Sequence, residues 1–429
     1  MNVVKVLGLW AALAWIGHGR VLRLGRQARA RSARGRPIKE ALPWYHSADE
    51  IHDKLNELAR GGCNGADIEI TQRSELNSGS AAGEVVELDV LHISRSSGAS
   101  QPKKRAMMVY GEHARELISP ESALHFVQAL CGDGVAASRA SAVLDNVSFT
   151  IVPNANPVSR RLVEEGQYCK RTNEDGVDLN RNFGDAHRAT GDEPGEEMNP
   201  GPNGFSEPES RIIRDLVQEE RPDIYLSIHS GAYLLGTPFG YTSDRTPENE
   251  ASMMEVLKPI SEKYCEGECP YGNLARLIHY KNPGCDIDFV QEAVGTPYVF
   301  TWEIYVGGEF RDRYIEQARM QRGAAEGDDG LSLAATNRSR TRASKAQLRG
   351  GARVRSERPE DSLDVEGCMN QFNPRTEAET RSVTERWTNA YLELCEEVVA
   401  KSAAPQASPG SAAKDAWPSL AAFSQSDGA

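Results

Sequence analysis

Short apolar runs alternate with amphipathic helical segments through the middle of the chain. Ser47-Ala48-Asp49-Glu50 has the form of a capping box and precedes apolar residues at helical spacing, which predicts a helix. Buried strands are predicted over residues 106–110, 147–152, 224–228 and 298–302, with an alternating strand over residues 85–93. Helices are predicted between them, beginning near residues 119 and 206. Strands that alternate with helices predict one α/β domain with a mixed, mostly parallel central sheet flanked by helices.

Three segments interrupt this pattern. Residues 1–43 join an apolar run to seven arginines between Arg20 and Arg36, which predicts a leader. Residues 319–366 are rich in Gly, Ala, Ser and Arg without apolar periodicity, which predicts a disordered insertion, with a polyanion-binding segment as the alternative. Residues 402–429 are rich in Ala, Ser and Pro, which predicts a disordered tail. The catalytic domain is therefore expected over residues 44–401.

The leader is compatible with two destinations. Its apolar run of about 12 residues has the length of a signal-peptide core and is short for a membrane span. The Arg-rich, acid-free stretch behind it is also typical of an organellar transit peptide. We expect secretion, with an organelle as the alternative. No stable membrane span is expected, because no apolar run reaches about 18 residues.

Composition narrows the class of protein. The chain has 429 residues, of which 39% are hydrophobic and 26% charged, so a large core is expected. Its 49 basic and 62 acidic residues give a net charge of −13, which argues against nucleic acid as a partner. Eight cysteines are too few for a disulfide scaffold but enough for a few bridges. Their pairing is left open by the sequence.

Chemically specific residues follow the predicted strands. His113 and Glu116 follow the first buried strand, His229 ends the third and Glu303 ends the fourth. Open α/β sheets bind ligands at the carboxyl ends of their strands, so one shared crevice is expected. Two imidazoles and a carboxylate are good Zn²⁺ ligands and leave a fourth position for water. On spacing alone an exposed histidine beside a solvated glutamate remains the alternative, since about one His-x-x-acid pair is expected by chance.

Further motifs stand in a recognisable order along the chain. They are His113-Ala114-Arg115-Glu116, Arg171, Asp178-Leu179-Asn180-Arg181-Asn182-Phe183, His229-Ser230, Tyr280, Phe300-Thr301-Trp302-Glu303 and Gly367-Cys368-Met369-Asn370-Gln371-Phe372-Asn373-Pro374. In this order they resemble the zinc metallocarboxypeptidases, the carboxypeptidase A-like family, and the last motif is most similar to plant and protist members. The resemblance covers roughly residues 44–401 apart from the insertion, and it implies the family's fold.

The resemblance implies an enzyme that hydrolyses the C-terminal peptide bond of peptides or proteins with one Zn²⁺ per chain. His113, Glu116 and His229 would bind the metal. Asp178 would accept the free ring N–H of His113, a bond that fixes the tautomer and raises ligand basicity.

The same resemblance implies the residues that act on the reacting bond. Glu303 would be the general base. Arg171 would stabilise the oxyanion. Arg171 is preferred over Lys170 because it precedes Asp178 by seven residues, as the resemblance requires.

Substrate contacts are also implied. Asn180 and Arg181 would hold the terminal carboxylate, for which the planar fork of arginine is suited. Tyr280 would close over the substrate near the scissile peptide. Arg115 would be a further substrate contact.

The resemblance implies that Ile287, which follows Tyr280 by seven residues, lies in the specificity pocket. An apolar residue there favours release of apolar or aromatic residues. Asp286 and Asp288 flank it, and a loop shifted by one residue would bring Asp286 into the pocket and favour Lys or Arg.

Two other functions are compatible with these motifs. A catalytically inactive protein that binds C-terminal carboxylates would be expected to lack a metal ligand or the general base, and none is missing. An amidohydrolase acting on N-acyl amino acids is the second, but Tyr280 together with residues 178–183 favours peptides. We expect a monomer whose partners are the C-termini of its substrates.

Overall fold

The computed structural model describes residues 35–63, 65–77, 84–96, 102–185, 198–308, 310–326 and 365–403. Within these ranges, eight strands form one sheet in the order β1-β2-β4-β3-β5-β8-β6-β7. The strands are β1 (Asp67–Leu76), β2 (Val85–Ser94), β3 (Lys104–Tyr110), β4 (Val147–Val152), β5 (Ile224–His229), β6 (Leu234–Thr237), β7 (Tyr271–Asn273) and β8 (Tyr298–Glu303). The expected mixed α/β architecture is confirmed.

Helices connect and flank these strands. They are α1 (Ile38–Ala41), α2 (Ala48–Gly61), α3 (Ile118–Leu130), α4 (Ala137–Val143), α5 (Pro157–Glu164), α6 (Pro208–Glu220), α7 (Glu250–Tyr264), α8 (Leu274–Ile278), α9 (Asp286–Phe289), α10 (Phe310–Glu326), α11 (Val365–Phe372) and α12 (Glu377–Ala403), with short turns at Leu179–Arg181 and Val290–Val294. None of the helices in the described ranges is long and apolar enough to cross a membrane.

Parallel pairing at the centre of the sheet brings together the polar residues at the ends of the strands. Of the seven pairings between described strands, four are parallel, and three of these join β4, β3, β5 and β8 side by side. The carboxyl ends of these four strands therefore meet at one edge. His229 at the end of β5 lies directly opposite Glu303 at the end of β8.

The capping box before α2 forms as the sequence predicts. The Ser47 hydroxyl accepts the Glu50 N–H at 3.1 Å, and the Glu50 carboxylate accepts the Ser47 N–H at 2.8 Å. Two N–H groups that lack a partner inside the helix are thereby satisfied. The helix then buries Ile51 and Leu55 against the core.

The last helix of the described residues, α12, packs against the strand that carries Glu303. Trp387, Tyr391 and Leu394 of this helix are fully buried. The Trp302 ring lies 5.7 Å from that of Trp387 and stacks on Tyr391 at 5.8 Å between centroids. Burial of aromatic rings is the main source of packing energy here, so α12 holds the end of β8 rigidly.

The packed structure begins before the expected boundary at residue 44. Ile38 and Leu42 are only 1% and 2% exposed and share an apolar cluster with Tyr45 and Leu117. Residues 35–43 of the expected leader therefore pack against the domain, and the leader itself stays a prediction. Residues 1–34 lie outside the described residues.

The expected insertion also begins too early at residue 319. Helix α10 continues to Glu326, and Ala318 on it is buried. The Gln321 side chain donates to the Tyr271 carbonyl at 2.6 Å and accepts its N–H at 3.1 Å. These hydrogen bonds join helix α10 to the edge strand β7. Apolar periodicity cannot predict such a contact between residues that are distant in the sequence. Residues 327–364 and 404–429 lie outside the described residues.

Disulfides resolve the pairing that the sequence left open. All eight cysteines lie in the described ranges, and six of them form the bridges Cys63–Cys131, Cys169–Cys368 and Cys265–Cys269. Cys285 and Cys395 are buried and not disulfide-bonded.

Replacing residues 329–360 with a short Gly-Ser linker should leave kcat/KM within a few-fold, because that segment lacks apolar periodicity. A matched replacement of residues 321–360 removes the Gln321 bonds and the last turn of α10 as well. It should lower the free energy of unfolding by about 1–3 kcal/mol. Thermal unfolding and peptide hydrolysis of both variants test this, and failure of the shorter replacement to fold would contradict it.

Candidate metal centre and substrate cleft

Three buried side chains converge at the carboxyl edge of the sheet. His113 follows β3, Glu116 precedes α3, and His229 ends β5; one ligand atom from each lies within 4.8 Å of the others. Nδ1 of His113 is 2.6 Å from Oε1 of Glu116 and 3.2 Å from Nδ1 of His229. Nδ1 of His229 is 3.1 Å from Oε2 of Glu116. Both imidazoles therefore turn the same ring nitrogen toward one point.

The size and chemistry of this cluster fit a zinc ion. Zn²⁺ bound tetrahedrally at about 2.0–2.2 Å places its ligand atoms about 3.3 Å apart, near the spacings observed. Burial acts to raise the pKa of Glu116, but His113 and His229 outweigh it and hold that pKa well below its ordinary range. Glu116 is therefore a carboxylate, the form that binds a metal.

Asp178 lies behind His113, as expected for a residue that orients a ligand. Its Oδ1 is 3.1 Å from Nε2 of His113. Burial acts to raise the pKa of Asp178, yet the nearby Arg171 and Arg181 guanidiniums, with His113, hold it well below the usual range. A charged acceptor at Nε2 favours the tautomer that leaves Nδ1 free for a metal.

Glu303 borders the same cleft. One carboxylate oxygen accepts the Ala232 N–H at 3.2 Å. Burial, followed by the negative charge of Glu116, raises the pKa of Glu303 to about 7. A carboxyl group with a pKa near the working pH can both take up and release a proton.

Arg171, rather than Lys170, faces the cluster. Its Nε donates to Asp178 at 2.9 Å, and its Nη1 lies 3.9 Å from Oε1 of Glu116. The Lys170 ammonium instead donates to the Thr172 hydroxyl at 3.0 Å. Arg171 lines the cleft, whereas Lys170 is absent from its described lining.

Asn180 and Arg181 lie in the tight turn after Asp178 and line the cleft. The side-chain Oδ1 of Asn180 accepts the Asp286 N–H at 3.0 Å, which ties this turn to the loop opposite. Gly284, at φ 77°, approaches so closely that a Cβ there would lie 2.3 Å from the Arg181 carbonyl oxygen. Arg181 is 3.8 Å from Asp178, which also serves Arg171, so two guanidiniums share one carboxylate. One carboxylate does not balance the charge of both guanidiniums, so this end of the cleft carries excess positive charge.

The loop from Tyr280 to Ile287 forms another wall. Tyr280 is 40% exposed, and Ile287 is fully buried with its side chain against the cleft. Asp286 also lines the cleft, but its carboxylate accepts bonds from the Tyr225 hydroxyl and the Ile287 N–H, both at 2.8 Å. Asp288 accepts the N–H groups of residues 240 and 241. The carboxylates of Asp286 and Asp288 are therefore both hydrogen-bonded to other groups of the protein.

Arg115 is buried beside the cleft wall. It is 1% exposed, its Nη1 donates to the Cys169 carbonyl at 3.3 Å, and its guanidinium lies 4.1 Å from the Phe372 ring centroid. The described lining of the cleft does not include it. Its role as a substrate contact stays a prediction.

Two residues near the site were missed from the sequence. Phe372 lines the cleft, although the motif that contains it suggested no role. A Cβ at Gly231, where φ is 117°, would lie 2.2 Å from the Phe372 ring, which explains the glycine after His229-Ser230. Glu112 lies next to His113 and contacts His229, but an acid beside a ligand carries no signal of its own in the sequence.

Comparison with known proteins identifies the family. Residues 72–322 match the family model of the zinc carboxypeptidases. The chain therefore belongs to the zinc carboxypeptidase family, a class of enzymes that hydrolyse peptide bonds, and the expected family resemblance is confirmed.

Individual relatives are distant. Human carboxypeptidase O is 27% identical over 63% of this chain and 76% of that protein. Zinc carboxypeptidase A 1 of Anopheles gambiae is 26% identical over 63% of this chain, which spans 62% of that protein. Carboxypeptidase B of Astacus astacus is 29% identical over 62% of this chain and 88% of that protein.

Solved structures share the fold. Thrombin-activatable fibrinolysis inhibitor superposes with a TM-score of 0.58 at 19% identity, over 83% of this chain and 75% of that one. Carboxypeptidase A from Helicoverpa armigera gives a TM-score of 0.51 at 25% identity, over 67% of this chain and 75% of that one.

The metal site predicts one zinc per chain and its loss in His229→Ala, because two remaining ligands hold Zn²⁺ weakly. Metal analysis after dialysis against a mild chelator measures this. His52→Ala is the matched control, since His52 pairs with Asp89 away from the cluster. Full zinc occupancy in His229→Ala would rule out this ligand set.

Proposed function

We propose that the protein is a zinc-dependent metallocarboxypeptidase that removes the C-terminal residue of peptides or proteins. One observation carries this proposal: the His113-Glu116-His229 cluster, Glu303 and Arg181 border a single cleft of about 340 Å³. That size is near the lower end for a small-ligand site, about 300–1,000 Å³. It suits the terminal residue of a peptide better than an internal stretch of chain.

Arg181 and Asn180 account for exopeptidase action. The Arg181 guanidinium has Asp178 as its nearest carboxylate, at 3.8 Å, so a substrate carboxylate gives it a better partner. An internal peptide bond brings no carboxylate to this position. The same contacts therefore select the chain end and align the last peptide bond with Glu303.

Bound zinc supplies a Lewis acid for the scissile carbonyl and lowers the pKa of water at the site. The Glu303 carboxylate removes a proton from the attacking water and returns it to the departing amine. Arg171 stabilises the negative charge that develops on the carbonyl oxygen. Tyr280, at the exposed mouth, covers the substrate and hydrogen-bonds beside the scissile bond.

The pocket favours apolar or aromatic terminal residues. Ile287 contributes an apolar surface, while the Asp286 carboxylate is occupied by Tyr225 and by the Ile287 N–H. A Lys or Arg side chain would be desolvated there without a free counter-charge. A Leu or Phe side chain gains free energy by burial instead.

The cellular compartment of the protein is part of the same proposal. Disulfides form and persist in oxidising environments, so the three bridges favour the secretory pathway or the cell exterior. There the protein would act as a monomer on the C-termini of its substrates.

Glu303→Gln should reduce kcat by several orders of magnitude while zinc and peptide still bind, since glutamine keeps the shape but accepts no proton. In the unmodified protein, kcat/KM should fall as the pH drops through the pKa of Glu303, because the protonated form of Glu303 cannot act as a base. Stopped-time peptide assays and zinc analysis measure both effects. Near-normal kcat in Glu303→Gln would remove this residue from the mechanism.

The pocket should give higher kcat/KM for peptides ending in Phe or Leu than for those ending in Lys or Arg, by about 10- to 100-fold for a burial difference of 1.5–3 kcal/mol. Ile287→Asp should shift the preference toward Lys and Arg, with Ile287→Leu as the matched control. A peptide series differing only in its last residue measures the ratio. Faster release of Lys or Arg by the unmodified protein would mean that Asp286 faces the pocket.

A further inference from the structure

The second ring nitrogen of His229 points into the protein toward a carboxylate. Nδ1 of His229 faces Glu116, while Nε2 lies 2.8 Å from the Ser227 hydroxyl and 3.1 Å from both Oε2 of Glu112 and the amide nitrogen of Asn180. Glu112 follows β3 by two residues, and Ser227 precedes His229 on the neighbouring strand β5. Parallel pairing of these two strands therefore brings the carboxylate beneath the imidazole.

Glu112 sits in an environment that disfavours a free charge. Its side chain is only 1% exposed. The Ser227 hydroxyl donates to its Oε2 at 3.0 Å, and its Oε1 has no hydrogen-bond partner among the described residues. A buried carboxylate with so few partners is costly unless a further N–H or a cation compensates it. The Nε2–H of His229 is the group in position to do so.

We propose that Glu112 is a positioning residue for His229. Its carboxylate accepts the Nε2–H, fixes the tautomer that turns the Nδ1 lone pair toward the metal, and raises the basicity of that nitrogen. Asp178 stands in the same relation to His113, so each histidine ligand has a carboxylate of its own. This inference rests on the proposed metal-binding function of the cluster.

Ser227 alone does not account for the arrangement. Its single hydroxyl proton is directed to Glu112, so its oxygen can accept from Nε2 but carries no charge. The Asn180 nitrogen at Nε2 belongs to an amide NH₂ group, which accepts no hydrogen bond. Glu112 is thus the charged acceptor at this nitrogen.

Glu112→Gln tests the proposal because it preserves size and removes the charge. The amide can present either its oxygen or its NH₂ group to Nε2, so the tautomer is no longer fixed. Zinc affinity, measured by competition with a chromophoric chelator, should fall about 10- to 100-fold. Thermal unfolding of the zinc-free protein should be unchanged or shifted upward, since a buried charge is removed. A merely structural role would instead lower that transition and leave zinc affinity intact.

Glu121→Gln is the matched control. Glu121 is also buried, lies on helix α3, and accepts hydrogen bonds from His46 rather than from a metal ligand. The same chemical change there should leave zinc affinity within twofold. Glu112→Asp, which keeps the charge on a shorter stem, should recover part of the affinity lost in Glu112→Gln.

Nitrogen-15 NMR of the zinc-loaded protein gives a readout that does not depend on a stable variant. The proposal requires a His229 signal with hydrogen on Nε2, in slow exchange with water. Rapid exchange of this Nε2 hydrogen with water would overturn it, as would unchanged zinc affinity in Glu112→Gln. Failure of the underlying metal site is a separate result, because His229→Ala would then keep its zinc whatever Glu112 does.

Discussion

The side-by-side pairing of β3, β5 and β8 is the constraint on which the rest of the site depends. Parallel strands lie about 4.8 Å apart, so residues just beyond neighbouring strand ends come within reach of one small ion. His113 follows β3, while His229 and Glu303 end β5 and β8 directly opposite each other. A one-residue slip of β5 would turn His229 to the other face of the sheet and separate these groups.

Buried charge determines what this geometry can bind. Glu116 meets the two histidines at Nδ1, while Asp178 and Glu112 meet them at Nε2. Arg171 donates to the other carboxylate oxygen of Asp178 and compensates its charge. The remaining negative charge converges on the point between the Nδ1 atoms, where a small cation is the natural compensation. The oriented ligand atoms and the excess negative charge thus both favour a small cation at this point.

Sequence reasoning succeeded where a local signal decides the structure. The central strands are continuous apolar runs, and polar residues at their ends are visible without any tertiary information. It failed where a contact between residues far apart in the sequence determines the structure. Ile38 is buried by residues far along the chain, and Gln321 holds helix α10 through the backbone of Tyr271. The Arg115 guanidinium likewise packs on the ring of Phe372, more than 250 positions away, a contact with no local signal.

The cleft wall is completed by a segment from beyond residues 327–364, and several independent contacts hold that segment in place. Cys368 is bonded to Cys169, two residues before Arg171. Asn373 donates to the Arg115 carbonyl at 2.8 Å and accepts the Ile118 N–H at 3.1 Å, on either side of Glu116. The entropy of closing a loop grows only slowly with its length. Because both ends are anchored in this way, the length of the intervening chain has little influence on the position of Phe372, and a long insertion at this point is compatible with a precisely built cleft.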